Sequence, residues 1–433
     1  MSPQCGDHVG CPLSLEEVRA LPKVELHAHL SGSITQEKLL PGCMFQGEPT
    51  CWAVLKRESL EAWSCSLAWI VAAGRVDLLV MTWTSAERIE LLERRGQGGS
   101  FQPFNFHGDL SNALQKCFGY FAKVASVVVD LETLKECTLH VLDSFAAENC
   151  IYLELRTSPK QFKVVNGEEH LTTKLQYLET VRAAIDEFHA QAMQRYGFVM
   201  EVKVLLSVDR GKVTSKDSAL AQIDDVLKLQ KEHADLVVGV DVCGDPHQPT
   251  VVPHLLPALQ ERKNEFQKLP ITFHTSEIVD DEESKLIIDS MRDLNIRRLG
   301  HVTHLPSFLR QRVLDGIYED GGVGVEVCPT SNMVTKEISS LKEHHFLDWW
   351  KKSDKVLLSI NTDDTGLFSC DLSSEVYDLA QAFGLSRADV IDIQRQAISS
   401  AFHPEKERLM TAFEKMLACA KEYDSKKRKL NGL

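Results

Sequence analysis

Residues 23–29 read KVELHAH, a short run around Val24 and Leu26 that closes on two histidines spaced two apart. Side chains alternate along a strand, so His27 and His29 point to one side and can grip a single ion. Alone, an HxH pair says little, because surface or core histidines also produce it. Its meaning comes from seven further runs of similar length: CIYLELR at 150–156, EVKVLLSV at 201–208, LVVGVDVC at 236–243, ITFHTSE at 271–277, RRLGHVT at 297–303, GVGVEVC at 322–328 and VLLSINTD at 356–363. Most are continuously apolar, as suits parallel strands covered on both faces. Between them lie stretches of helical period at 172–195, 215–233, 280–293 and 305–319. Eight strands alternating with helices point to a (β/α)8 TIM barrel, although a doubly wound open sheet shares that alternation. The strand ends separate the two. His274 ends the fifth run, His301 the sixth, and Asp363 and Asp364 the eighth. In an open sheet these ends lie along a line, whereas a barrel gathers strands one, five, six and eight around one mouth.

The rest of the composition is compatible with one such barrel. The 433 residues are 43% hydrophobic, enough for a large core, and barrels commonly exceed the average domain size as single units. The 62 acidic against 48 basic residues give a net charge of -14, which argues against nucleic-acid binding. No apolar run reaches the roughly 18 residues that a membrane span needs. The start, MSPQCGDHVG, has neither the basic lead nor the apolar core of a secretory signal. Twelve scattered cysteines without CxxC pairs then read as reduced thiols in the cytoplasm. No GxGxxG or GxxxxGK[ST] follows a strand, which removes dinucleotide and P-loop readings. A monomer is expected.

Residues 43–105 stand apart from the pattern, with four of the six tryptophans (Trp52, Trp63, Trp69 and Trp83) and the loose stretch ERRGQGGS. They read as an atypical insertion after the first strand within a single barrel spanning 1–433; the other reading is a segment from an unusual splice that folds poorly. The C-terminal KEYDSKKRKLNGL is expected to fray from a last helix.

Three imidazoles and a carboxylate make a Zn²⁺ site with room for water, whose pKa the ion brings towards 7. Glu277, three residues beyond His274, is placed for general acid or base work outside the metal's own ligands, or simply as a helix N-terminal carboxylate. Asp363 and Asp364 are costly on a buried strand end unless paired or metal-bound. Many metal-dependent hydrolase barrels bridge two ions with a modified lysine at the fourth strand. Here that end carries Asp241, Val242, Cys243 and Gly244, so one ion is expected. Cys243 and Cys328 are soft ligands, nucleophiles, or small buried residues, with the last preferred.

The motifs PKVELHAHLSGS, VVGVDVCGDP, FHTSE, RLGH, EVCPTSN and NTDDTGLF, in this order, resemble the adenosine and AMP deaminase family. YLELRTSPK, LLSVDR, HHF and LSSEVYDLA make the chain most similar to its adenosine-deaminase-like branch, the N6-methyl-AMP deaminases. The resemblance covers 20–42 and about 106–415. It implies that His27, His29, His274 and Asp363 hold zinc, and that Glu277 protonates purine N1. It also implies that His301 orients the attacking water or accepts its proton, that Asp364 bonds N7, and that the Gly244 backbone meets N3. His29, Thr157, Ser158, Lys160 and Asp209 fall at nucleotide-contacting positions of that branch.

Ser31 stands where adenosine deaminases carry an aspartate for the ribose 5′-hydroxyl. Such a carboxylate 4 Å from a phosphate would cost about 4 kcal/mol at an effective dielectric of 20, so an uncharged Ser31 suits a 5′-monophosphate. A loop hydroxyl that merely caps a helix is the other reading. Two departures stand out. His301 is followed by Val302 where relatives have a small residue, and FGYFAKVASVV at 118–128 lacks the histidine of the family's lid helix. The resemblance thus implies zinc-dependent hydrolysis at purine C6, N6-methyl-AMP to IMP plus methylamine. Adenosine deamination and a catalytically weak nucleotide-binding barrel are the alternatives.

Overall fold

The computed structural model describes residues 13–35 and 113–430, apart from 167 and 339. The inserted stretch 43–105, and with it the division of the chain, lies outside the described residues. Eight strands form one parallel sheet in sequence order: β1 (Lys23–His29), β2 (Cys150–Thr157), β3 (Glu201–Asp209), β4 (Val237–Cys243), β5 (Ile271–Thr275), β6 (Ile296–His301), β7 (Val323–Val327) and β8 (Val356–Ile360). Every residue of β2, β5 and β7 is buried, charged ones included, as in parallel strands covered on both faces.

The eight expected strands are present, with shifted ends. β5 stops at Thr275, which leaves Glu277 just past the strand, and Asp363 follows the end of β8 by three residues. Helices run over Lys174–Tyr196, Lys216–Glu232 and Asp281–Leu294, close to their periodic stretches. The stretch 305–319 is helical only over Ser307–Asp315, because Pro306 starts it and Gly316, at φ +103°, ends it. One element was not anticipated, and one extends further than expected. A hairpin pairs Lys163–Asn166 with Glu168–Leu171. The last helix, Lys406–Leu430, continues through most of the charged tail expected to fray. Among the described residues no helix is long and apolar enough to cross a membrane.

The barrel closes between β8 and β1, and the closure is mostly made by side chains. At the mouth Ala28 and Asp363 bridge in parallel: His29 N–H donates to the Asp363 carbonyl at 3.0 Å, and Asp363 N–H to that of His27 at 2.8 Å. Below this bridge, Asn361 Oδ1 accepts from Leu26 N–H at 3.1 Å. The Glu25 carboxylate takes the His27 N–H at 2.7 Å, the Thr362 N–H at 3.0 Å and the Thr362 hydroxyl at 2.9 Å. Burial pushes the Glu25 carboxyl up to about 7, against those three donors. Glu25 therefore occupies the place of missing backbone partners, and removing it leaves two buried N–H groups unpaired. Glu25→Leu is expected to lower stability by about 3 kcal/mol or more in denaturant unfolding. A loss below about 1 kcal/mol would show that the closure does not depend on it.

Candidate active site

The strand ends bring four side chains to one point. His27 Nε2 and His274 Nε2 stand 3.0 Å apart, and His29 Nε2 and His274 Nε2 3.1 Å. Asp363 Oδ1 lies 3.4 Å from His27 Nε2 and 3.5 Å from His29 Nε2. Ligands about 2 Å from a tetrahedral ion stand about 3.3 Å apart, so this cluster has the right size for one.

Hydrogen bonding on the far side of the rings supplies an independent test. His274 Nδ1 faces the Val242 carbonyl at 2.9 Å, and His27 Nδ1 faces Glu326 Oε2 at 2.8 Å. Carbonyl and carboxylate oxygens only accept, so both Nδ1 atoms carry protons, and the two rings in their neutral form aim Nε2 lone pairs at each other. Two lone pairs 3.0 Å apart repel unless a cation lies between them. The donor set thus fits a divalent ion. His301 is a rival ligand, since its ring also lies within reach of His27, His274 and Asp363. However, its Nε2 is 3.9 Å from Asp363 Oδ2, farther than His29 stands from the same carboxylate. A second group, His29, Asp241 and Cys243, also has its ligand atoms within 4.8 Å of one another. There Asp241 is already committed, to Arg156 at 2.9 Å, His274 at 3.1 Å and Ser207 at 2.8 Å.

Beneath the imidazoles lies a layer of fully buried charge. Glu326 meets Arg156 at 2.6 Å and Arg298 at 2.7 Å, and Arg298 also meets Glu154 at 2.5 Å. Burial alone would raise Glu326, but Arg156, Arg298 and His27 hold its carboxyl well below the carboxylate range. It is thus a permanent acceptor that orients His27. Glu154, Arg156, Asp241, Arg298 and Glu326 carried no assigned role in the motif reading. The available signal was a charge inside an otherwise apolar strand, which is costly unless paired.

A cavity of about 420 Å³ opens from this cluster. The helix Ala113–Val127 contributes an apolar wall of Leu114, Cys117, Phe118, Phe121 and Val124. The other sequence-selected residues, Ser31, Thr157, Ser158, Lys160, Asp209, Gly244, Glu277, His301 and Asp364, all line the same cavity. Ser31 lies exposed in the turn after β1. Val302 does not displace its neighbour: the His301 ring centroid lies 4.8 Å from His27 and 5.0 Å from His274. Cys328 is buried as expected, whereas Cys243 is only half-buried and lines the cavity.

Burial pushes the Glu277 carboxyl up to about 7, and Asp363 and Glu283 add to the rise while His274 and Arg210 oppose it. Asp364 is raised well above its ordinary value by burial, then by Asp363 and Glu277, and its Oδ1 has no hydrogen-bond partner among the described residues. That atom packs on Gly32, where a Cβ would fall 1.6 Å from it, so the backbone of the turn must be bare. At the outer end, Lys160 donates to the Val128 carbonyl at 3.1 Å, and Lys212, unmarked in the sequence, pairs with Asp209 at 2.9 Å. Burial and then Lys212 lower the Lys160 pKa, as two cations facing one space require.

A parallel barrel with imidazoles and carboxylates at the carboxyl ends of its strands defines a metal-dependent hydrolase fold. Residues 100–414 match the model of the adenosine deaminase family, and the chain belongs to that family. An N6-mAMP deaminase of Arabidopsis thaliana is 29% identical, the alignment covering 92% of this chain and 97% of that protein. An N6-methyl-AMP deaminase of Danio rerio is 30% identical over 90% of this chain and 94% of that one. Among solved structures, Arabidopsis ADAL complexed with GMP superposes with a TM-score of 0.63 at 27% identity, covering 92% of this chain and 98% of that one. An ADAL–IMP complex gives 0.63 at 28%, covering 93% and 98%. The protein is a hydrolytic deaminase.

Glu326→Gln should weaken divalent-metal binding about 10- to 100-fold in competition with a chromophoric chelator, because His27 loses its anionic partner. Unchanged affinity in a folded variant would show that Glu326 serves only the barrel interior.

Proposed function

We propose that this chain hydrolyses the C6 substituent of a purine 5′-monophosphate, with N6-methyl-AMP as preferred substrate, giving IMP and methylamine. One observation carries the reading. A single cavity is lined by His29, His274 and Asp363 of the cluster and by a protonatable Glu277, and also by Ser31, Thr157, Ser158, Lys160 and Lys212. The relatives named above for N6-methyl-AMP, and the GMP and IMP complexes, support a nucleotide over a nucleoside.

His27, His29, His274 and Asp363 would hold one zinc ion, which when bound supplies a Lewis acid that makes water a nucleophile at neutral pH. Glu277, with its carboxyl near 7, keeps a proton for purine N1. Protonation there relieves the negative charge that builds on the ring as oxygen adds to C6. Asp364, held in its acid form by burial and two neighbouring carboxylates, offers an O–H to N7. Gly244, at φ +103°, leaves no side chain between the backbone and N3; a Cβ there would fall 2.3 Å from Asp209 Oδ1. At the outer end Lys160 and Lys212 meet the phosphate, with Thr157 and Ser158 hydroxyls beside them.

An absorbance assay on N6-methyl-AMP, AMP and adenosine tests the substrate, and faster turnover of adenosine than of either nucleotide would overturn the reading. Glu277→Gln is expected to retain zinc and to lose about 10²- to 10⁴-fold in kcat. Retained turnover would remove Glu277 as proton donor. The pH profile follows with its sign. The useful form of Glu277 is protonated, and its folded pKa is raised from 4.5 to about 7. kcat/KM should therefore hold below neutrality and fall as pH rises through about 7; a rate that climbs across that range would contradict the assignment.

A further inference from the structure

His301 is held from behind by contacts that determine which of its nitrogens carries the proton. Its Nδ1 lies 3.0 Å from Asn332 Nδ2. The orientation of that amide follows from two other contacts. The Cys328 backbone N–H donates to Asn332 Oδ1 at 3.1 Å, and a backbone N–H can only donate. His344 Nδ1 accepts the Phe346 backbone N–H at 3.0 Å, so the proton of His344 sits on Nε2, which donates to the same Oδ1 at 3.2 Å. With Oδ1 facing two donors, the amide turns its NH₂ to His301. An amide N–H does not accept, so His301 Nδ1 must, and the ring's one proton lies on Nε2. That atom faces the reaction centre, 3.8 Å from Glu277 Oε1 and 3.9 Å from Asp363 Oδ2.

The backbone of His301 is held as firmly as its ring. His301 and Val302 have φ of +63° and +49°, two consecutive left-handed residues without glycine, the second β-branched. Such a pair is costly and persists only where its surroundings over-determine it. Here Val302 N–H donates to the Thr275 carbonyl at 3.2 Å, and His345 Nε2 donates to the His301 carbonyl at 2.8 Å. His344 and His345 stack, with centroids 4.2 Å apart and planes 20° apart, so one short segment holds the imidazole through Asn332 and the peptide through His345.

We propose that Asn332, oriented by the Cys328 N–H and by His344, locks His301 in its Nε2–H tautomer, so that His301 donates a hydrogen bond to the attacking oxygen instead of taking its proton. The step rests on the deaminase reading above and balances without a base at His301. Glu277 gives its proton to N1 and then, as a carboxylate, receives one from the attacking water. It passes that proton to the departing amine and regains one when the C6 hydroxyl becomes a carbonyl. Asn332, His344 and His345 are positioning residues, since none is placed against the substrate.

The tautomer can be read without substrate or metal. Long-range ¹H–¹⁵N correlation on the metal-free full chain with labelled histidine, assigned against His301→Asn, should show neutral His301 protonated at Nε2. Protonation at Nδ1 overturns the proposal, whatever the substrate proves to be. Asn332→Asp keeps an acceptor for Cys328 and His344 but turns an oxygen to His301, so it should move the proton to Nδ1. On N6-methyl-AMP the same variant should lower kcat about 10- to 100-fold with KM changed less than about threefold. A moved proton with unchanged kcat would refute the donor role. His344→Phe should lower kcat in the same way and His344→Gln, which restores an N–H donor, should recover it; equal losses in both would also count against the proposal. If wild type turns over none of the purines tested, the reading of the reaction fails while the tautomer result stands.

Discussion

The structure depends on how the barrel closes. In seven of its eight joints, neighbouring strands pair through ordinary parallel ladders. At the eighth, β8 stops at Ile360, and a single backbone bridge, the Asn361 side-chain amide and the Glu25 carboxylate carry the chain across to β1. That bridge joins Ala28 to Asp363 and uses the peptide groups of His27 and His29. Three of the four groups that converge at the mouth are therefore fixed by the hydrogen bonds that close the sheet. Closure and the site form one constraint: a register slip at this joint would carry Asp363 away from the imidazoles.

Below that joint the barrel interior is charged where most interiors are oily. Two arginines and three carboxylates, none exposed, interlock under His27 and His274. Burying such ions costs several kcal/mol each, and well-packed apolar residues often do as well for stability. Their contribution here is orientation. Glu326 sets the proton of His27, and Asp241 with the Val242 carbonyl sets that of His274. Asn332 does for His301 what the carboxylate and the carbonyl do for those two rings, with a donor in place of an acceptor. One fold thus presents imidazole lone pairs towards a cation site and an imidazole N–H into the same cavity.

Much of this was legible in the sequence, for a physical reason. Functional groups in a parallel barrel gather at the carboxyl ends of strands, so HxH, HTSE, GH and TDD at the ends of apolar runs mark both the fold and its mouth. Residues that act from behind were not legible. Glu326 and Arg298 sit within the strand runs, and only the pairing of opposite charges across non-adjacent segments gives them meaning. Asn332 lies in the quoted motif EVCPTSN, and His344 and His345 in HHF, but their use depends on which backbone N–H groups reach them. Lys212 looked like any surface lysine until the turn after β3 carried it to the cavity that Lys160 also lines. Strand ends were misjudged where polar active-site residues continue an apolar run, as at Thr275 and Ile360.

The central claim is that closing the barrel creates a nitrogen-rich site for one zinc ion out of His27, His29, His274 and Asp363. X-ray absorption at the zinc edge of the reconstituted full-length protein tests it most directly. The account predicts one equivalent of zinc surrounded by nitrogen and oxygen at about 2.0–2.1 Å, with multiple scattering from three imidazoles. A sulfur shell at about 2.3 Å, which would bring in Cys243, or a second equivalent of tightly held zinc would contradict it.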